Sequence, residues 1–133
     1  MERSPGPSVA GASPTGSPTT LRLTSAALDP SQLPPQAGDF LLDFRDTYDR
    51  APGRYAAYGY EAMAVVLDSI ERAGDPLDRG AVTEAFFATE DRDSVLGTYS
   101  IDEVGDTTLA RLGAYEVTGE GELRASPEPL TLP

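Results

Sequence analysis

The sequence predicts an α/β chain, with three helices followed by two or three short strands. Three observations predict it. Apolar residues recur at helical spacing from residue 40 to residue 87. After residue 97 the period changes to alternation, and Pro, Gly and Asp mark the joins between the periodic stretches. The 133 residues suffice for about one domain.

Residues 1–20 are almost entirely Ser, Pro, Gly, Thr and Ala, with Met1 and Val9 as the only larger apolar side chains. Such a segment buries too little apolar surface to offset the entropy of ordering, so it is expected to be disordered. Residues 21–133 remain as the foldable part. Leu21 and Leu23 alternate with Arg22 and Thr24, as in a short strand. Asp29-Pro30 and Pro34-Pro35 then mark a turn-rich connection.

Phe40, Leu41, Phe44 and Tyr48 form one face of a first helix, with Asp39 as its expected N-cap and Pro52 forbidding continuation. Asp43, Asp46 and Asp49 fall on the other side, as a solvated charged face. The strongest helical pattern covers 58–73. Tyr60, Met63, Ala64, Leu67 and Ile70 share a face that is expected to be core, and Val65 and Val66 widen the apolar arc. Gly74 suits the C′ position. A third helix is expected over 79–88, with Val82, Ala85 and Phe86 as its stripe and Phe87 beside it. Strands are expected at 98–101 and 114–117, and a last short one at 123–125. Turns at 102–106 and 119–121 separate them, and the Pro-rich tail is expected to be extended. So few strands make a marginal sheet, and the wide apolar surface of helix 58–73 needs a body to pack against.

Composition excludes several function classes. The chain has no Cys, His or Trp, which removes disulfides, thiolate chemistry, His-metal sites and His-dependent triads. Net charge is −12, and all ten basic residues are scattered Arg. That balance argues against nucleic acid or an anionic membrane as partner. No apolar run approaches the ~20 residues of a membrane span, and no apolar h-region follows Met1, so neither membrane insertion nor a signal peptide is expected in this chain. The acidic pairs sit in no catalytic motif, so no enzyme activity and no cofactor are expected. The run Asp102 to Asp106 lacks the alternating carboxylates of a calcium loop and reads as a strand-ending turn.

Several phrases carry a family resemblance. They are LDPSQLPP, FLLDFRDTYDRAPGRYAAYGYEAMAVVLDSIERAG, DRGAVTEAFFAT, VLGTYSIDEVGD and AYEVTGEGELR, in this order. Together they resemble the C-terminal part of type I periplasmic binding proteins, in the leucine/isoleucine/valine-binding family of ABC-transporter receptors. The resemblance implies a C-terminal fragment of a two-lobed α/β fold, with 21–133 as a partial domain. It further implies an amino-acid-like solute held by lobe closure without chemistry, an ABC permease as partner, and an extracytoplasmic location, periplasmic or lipid-anchored. The first lobe of the family has no counterpart here, so the chain is expected to be truncated. A stand-alone cytoplasmic sensing or interaction module, or a non-functional fragment, is the alternative.

Three of the six tyrosines fall within YAAYGYEA. Tyr60 belongs to the expected core stripe. Tyr55 and Tyr58 precede the expected helix, where the resemblance places a cleft wall; they either contact a ligand or pack the loop. A helix N-terminus offers unpaired N–H groups, and a tyrosine offers an apolar ring with a polar tip. Glu61 can accept from a ligand ammonium, although an acid in a first helical turn is favoured by the macrodipole anyway. The candidate ligand-binding residues are therefore Tyr55, Tyr58 and Glu61.

Overall fold

In the computed structural model, which describes residues 21–118 and 121–133, an opening strand, β1 (Leu21–Ser25), leads into two 3-10 turns, Pro30–Gln32 and Pro35–Ala37. Three helices follow: α1 (Gly38–Tyr48), α2 (Ala56–Ala73) and α3 (Arg79–Phe87). Three short strands then close the chain: β2 (Arg111–Val117), β3 (Leu123–Ala125) and β4 (Leu130–Thr131). The α/β order of three helices and then short strands is the expected one. The expectation of disorder over 1–20, and most of the expected turn at 119–121, lie outside the described residues.

β2 is the central strand and is antiparallel to every partner. Leu21 lies opposite Val117, Leu23 opposite Tyr115, and Ala125 opposite Tyr115 on the other side. Directly opposed residues share a face, so Leu21, Leu23, Tyr115, Val117, Leu123 and Ala125 form one apolar face. Tyr115 is buried in it, and its hydroxyl donates to the carbonyl of Ala27 at 3.1 Å. Gly113 makes this approach possible. A Cβ there would stand 2.4 Å from the Ala27 oxygen and 2.8 Å from the Tyr115 ring.

Buried Gln32 ties the first turn to the sheet. Its Nε2 donates to the carbonyl of Ser126 at 2.9 Å and, more weakly, to that of Ala114 at 3.3 Å. Its Oε1 accepts from the N–H of Asp29 at 3.1 Å. Asp29 in turn caps the turn through Ser31, completing a capping box. The apolar core gathers Ala37, Phe40, Ala57, Val95 and Leu96, with Leu33, Phe44, Tyr58 and Leu109 packed against it.

Four local expectations are corrected. Asp39 does not cap α1. The helix grows directly out of a 3-10 turn, so Ala37 holds the cap position in αR geometry and makes no side-chain cap. Tyr60, Met63 and Leu67 are not core: they are 53, 59 and 58% exposed. The buried stripe of α2 is instead Ala57, Glu61, Val65 and Ser69. α2 also starts two residues earlier than the periodicity suggests, which brings Tyr58 into its first turn. Residues 98–101 form no strand. Tyr99 and Ile101 are buried as alternation requires, but each segment pairs through a single bridge, Arg92 with Tyr99 and Ile101 with Thr107.

Other expectations stand. Gly74 ends α2 at φ 77°, the left-handed geometry that glycine adopts without strain. α3 runs 79–87 against the expected 79–88, with Asp78, which sequence reasoning did not single out, capping it by accepting from the N–H of Ala81. The segment after Ile101 is a turn in which Asp102 Oδ1 accepts from the N–H groups of Val104 and Asp106, with Gly105 at φ 90°.

Candidate functional site

α2 presents Tyr58, Glu61 and Val65 at i, i+3 and i+7, so all three side chains lie on the side facing the segment 94–112. Together with Val66, Leu96, Tyr99, Ile101, Leu109, Arg111 and Leu112 they wall an open cavity of about 540 Å³. The lining is mainly aliphatic, with a few polar groups among it. That composition suits a small organic solute with an apolar body.

Glu61 is the polar centre. It is only 4% exposed, which an acid tolerates only when paired. Its Oε1 accepts from Arg92 Nε at 2.6 Å and from the Tyr99 hydroxyl at 2.9 Å. Burial pulls the Arg92 guanidinium toward neutrality, but the hydrogen bond and charge of Glu61 outweigh it and raise its pKa. The Tyr99 hydroxyl is pushed up to about 12, first by burial and then by the hydrogen bond and the charge of Glu61. The pair continues outward: Arg92 Nη1 stands 3.3 Å from Asp68, Arg72 Nε donates to Asp68 at 2.9 Å, and Arg72 Nη2 donates to the Thr89 hydroxyl at 2.9 Å. These contacts bind the segment 89–99 along the length of α2.

Oε2 of Glu61 makes no hydrogen bond to protein among the described residues. No fully buried side-chain oxygen or nitrogen among those residues lacks a partner. Oε2 is therefore not fully buried, and Glu61 as a residue lines the cavity. The Tyr58 hydroxyl accepts from the N–H of Leu28 at 2.9 Å, and its own proton remains free to donate. Arg111 reaches the same cavity while one of its Nη groups donates to the carbonyl of Gln32.

Of the sequence-derived candidates, the structure brings Tyr58 and Glu61 together on one wall. Tyr55 stands apart at the start of α2, 66% exposed, and does not line this cavity. Sequence reasoning missed Arg92 and Tyr99. Their separations from Glu61, 31 and 38 residues, leave no local signal. A second groove, of about 500 Å³, runs between α1 and α2 and exposes the Phe40, Phe44, Tyr48 and Tyr60 rings. Its aromatic contacts, 5.0 Å between the centroids of Phe40 and Tyr60, turn Tyr60 toward α1 and away from the Glu61 cavity, which it does not line. Among the described residues no cluster of acids is arranged to hold a metal ion.

No protein-family model and no curated protein matches the chain. Solved structures do match. A leucine binding protein from Thermotoga maritima is 29% identical, with a TM-score of 0.64, over 80% of this chain and 30% of that one. A putative branched-chain amino acid ABC transporter protein from Rhodospirillum rubrum is also 29% identical, with a TM-score of 0.56, over 79% of this chain and 30% of that one. A branched-chain amino acid transporter substrate-binding protein from Streptococcus pneumoniae, in complex with isoleucine, matches at 21% identity and a TM-score of 0.59. It is covered over 83% of this chain and 30% of its own. The structural neighbours are thus substrate-binding proteins of ABC transporters with the type I periplasmic-binding fold. The chain spans about 30% of their length, and its helices and small sheet have the α/β architecture of a C-terminal portion of that fold.

Proposed function

We propose that the chain, over 21–133, contributes one wall of a solute-binding protein of an ABC importer. The solute class is branched-chain or related amino acids. The observation that carries this reading is the fold match at 29% identity to a leucine binding protein. The cavity wall supports it: Tyr58 offers a hydroxyl proton to a solute carboxylate, and the second oxygen of Glu61 can accept from an ammonium. Aliphatic side chains between them suit an aliphatic solute. Tyr55, exposed at the helix entrance, is placed to meet the solute or the opposing lobe only once a second wall is present.

The protein acts by closure, without chemistry. Solute contacts made only in the closed state shift the lobes toward it, and a membrane permease reads that state. Such work belongs outside the cytoplasmic membrane. No described helix is long and apolar enough to cross a membrane.

The test grafts residues 21–133 into the Thermotoga receptor in place of the portion they match. Leucine, isoleucine and valine are then titrated by calorimetry. The expected result is binding of at least one of them, weakened about tenfold by Tyr58→Phe, the loss of one hydrogen bond to a charged group. A folded chimera that binds none of them, or whose affinity ignores Tyr58→Phe, Tyr55→Phe and Glu61→Gln alike, overturns the reading.

A further inference from the structure

We propose that the groove between α1 and α2 is a second binding site, and that its ligand is a small planar organic cation, an amidine or a guanidine. The groove shares no lining residue with the Glu61 cavity, so the two sites stand or fall separately.

α1 sets two parallel rows along this groove. Phe40, Phe44 and Tyr48 recur every four residues and form one ridge. Asp39, Asp43 and Thr47 keep the same interval one residue earlier and form a polar row beside it. Both rows line the groove of about 500 Å³, and Tyr60 closes it from α2. The rings of Phe44 and Tyr48 lie 4.6 Å apart between centroids, and those of Phe40 and Tyr60 5.0 Å. Tyr48 and Tyr60 are each more than half exposed, so a ligand in the groove meets their rings directly.

Three observations select a cation. The face of an aromatic ring is negative and attracts positive charge, and four rings converge here. Asp39 and Asp43 add two carboxylates, and neither makes an ion pair among the described residues. Asp39 suits a first helical turn in any case, but Asp43, one turn on, gains little from the macrodipole. Third, the chain's own Arg50 shows what these rings accept. Its guanidinium carbon stands 5.4 Å from the centroid of the Phe44 ring and 6.0 Å from that of Tyr48. Arg50 itself does not line the groove, so the acids and the Phe40 and Tyr60 rings remain for a ligand. A planar amidinium or guanidinium can lie flat on a ring while its N–H fork reaches a carboxylate at the edge.

The experiment titrates benzamidine into the full chain at neutral pH, with neutral benzamide as the isosteric control. Backbone amide shifts in nuclear magnetic resonance read the binding. The expected result is saturable shifts in α1 and the first turns of α2, with benzamide at least about tenfold weaker. Asp39→Asn with Asp43→Asn weakens benzamidine by about tenfold. Asp46→Asn with Glu71→Gln removes the same charge from exposed positions outside the groove and leaves the affinity nearly unchanged. Arg50→Ala uncovers the Phe44 and Tyr48 rings and tightens binding about threefold. All of these positions are exposed, so each variant keeps the helical circular dichroism of the wild type. The proposal is overturned if benzamidine gives no saturable shifts, or if they fall around the Glu61 cavity instead. It is equally overturned if benzamide binds as well, if the two double variants weaken binding alike, or if Arg50→Ala fails to tighten it. Should the Asp39, Asp43 variant not fold, the comparison of benzamidine with benzamide on the wild type decides.

Discussion

The Glu61 carboxylate shows how one residue serves two purposes. Oε1 is committed to Arg92 and Tyr99, while Oε2 has no hydrogen-bond partner among the described residues, on a side chain that lines a cavity. Removing one member of a buried pair leaves the other charge uncompensated, at a cost of roughly 3–5 kcal/mol. Arg92→Ala should therefore destabilise the chain by about that much in urea unfolding. Tyr99→Phe, which removes only a neutral donor, should cost about 1–2 kcal/mol. Tyr99 also makes a pH prediction. Its phenol titrates at about 12 in the fold against an ordinary value of 10.0, so the folded state favours the neutral form. That contribution is fully present below pH 10, and it is lost as pH rises toward 12. In parallel urea titrations at successive pH values, wild type should lose stability more steeply than Tyr99→Phe across this window. Identical slopes would mean that the hydroxyl is not held as described.

At the scale of elements, the helices were legible because periodicity is local. Phe40, Phe44 and Tyr48 keep the spacing of α1, and Gly74 stops α2 where a left-handed residue is needed. The choice of buried face on α2 was not legible. Apolar side chains surround this helix, and the face that is covered contains the charged Glu61, whose partners come from a distant loop. A stripe count favours Tyr60, Met63 and Leu67; tertiary pairing favours Ala57, Glu61 and Val65. The alternation at 98–101 was real, since Tyr99 and Ile101 are buried, but a strand also needs a ladder, and single bridges do not supply one. Within the sheet, Gly113 is the residue least open to change. Gly113→Ala drives a methyl group into the Ala27 carbonyl and the Tyr115 ring. It should cost more than about 2 kcal/mol in urea unfolding, against the few tenths typical of open surface sites. A neutral substitution would show that the Ala27 carbonyl and the Tyr115 ring stand farther from Gly113 than described.

For the molecule as a whole, the candidate site was half legible. Tyr58 and Glu61 were visible as polar and aromatic residues at a helix entrance, and both line the cavity; Tyr55 was visible too, yet it does not line it. Tyr55 stands exposed at the entrance of α2, and residue spacing along one helix does not show which of its faces the fold turns toward a cavity. Leucine calorimetry on the chimera tests the central claim most directly, with the isolated chain as control. The account predicts measurable binding in the chimera that Tyr58→Phe weakens, and little or no heat from the isolated chain. Tight leucine binding by the isolated chain, or a folded chimera that binds no branched-chain amino acid, would contradict it.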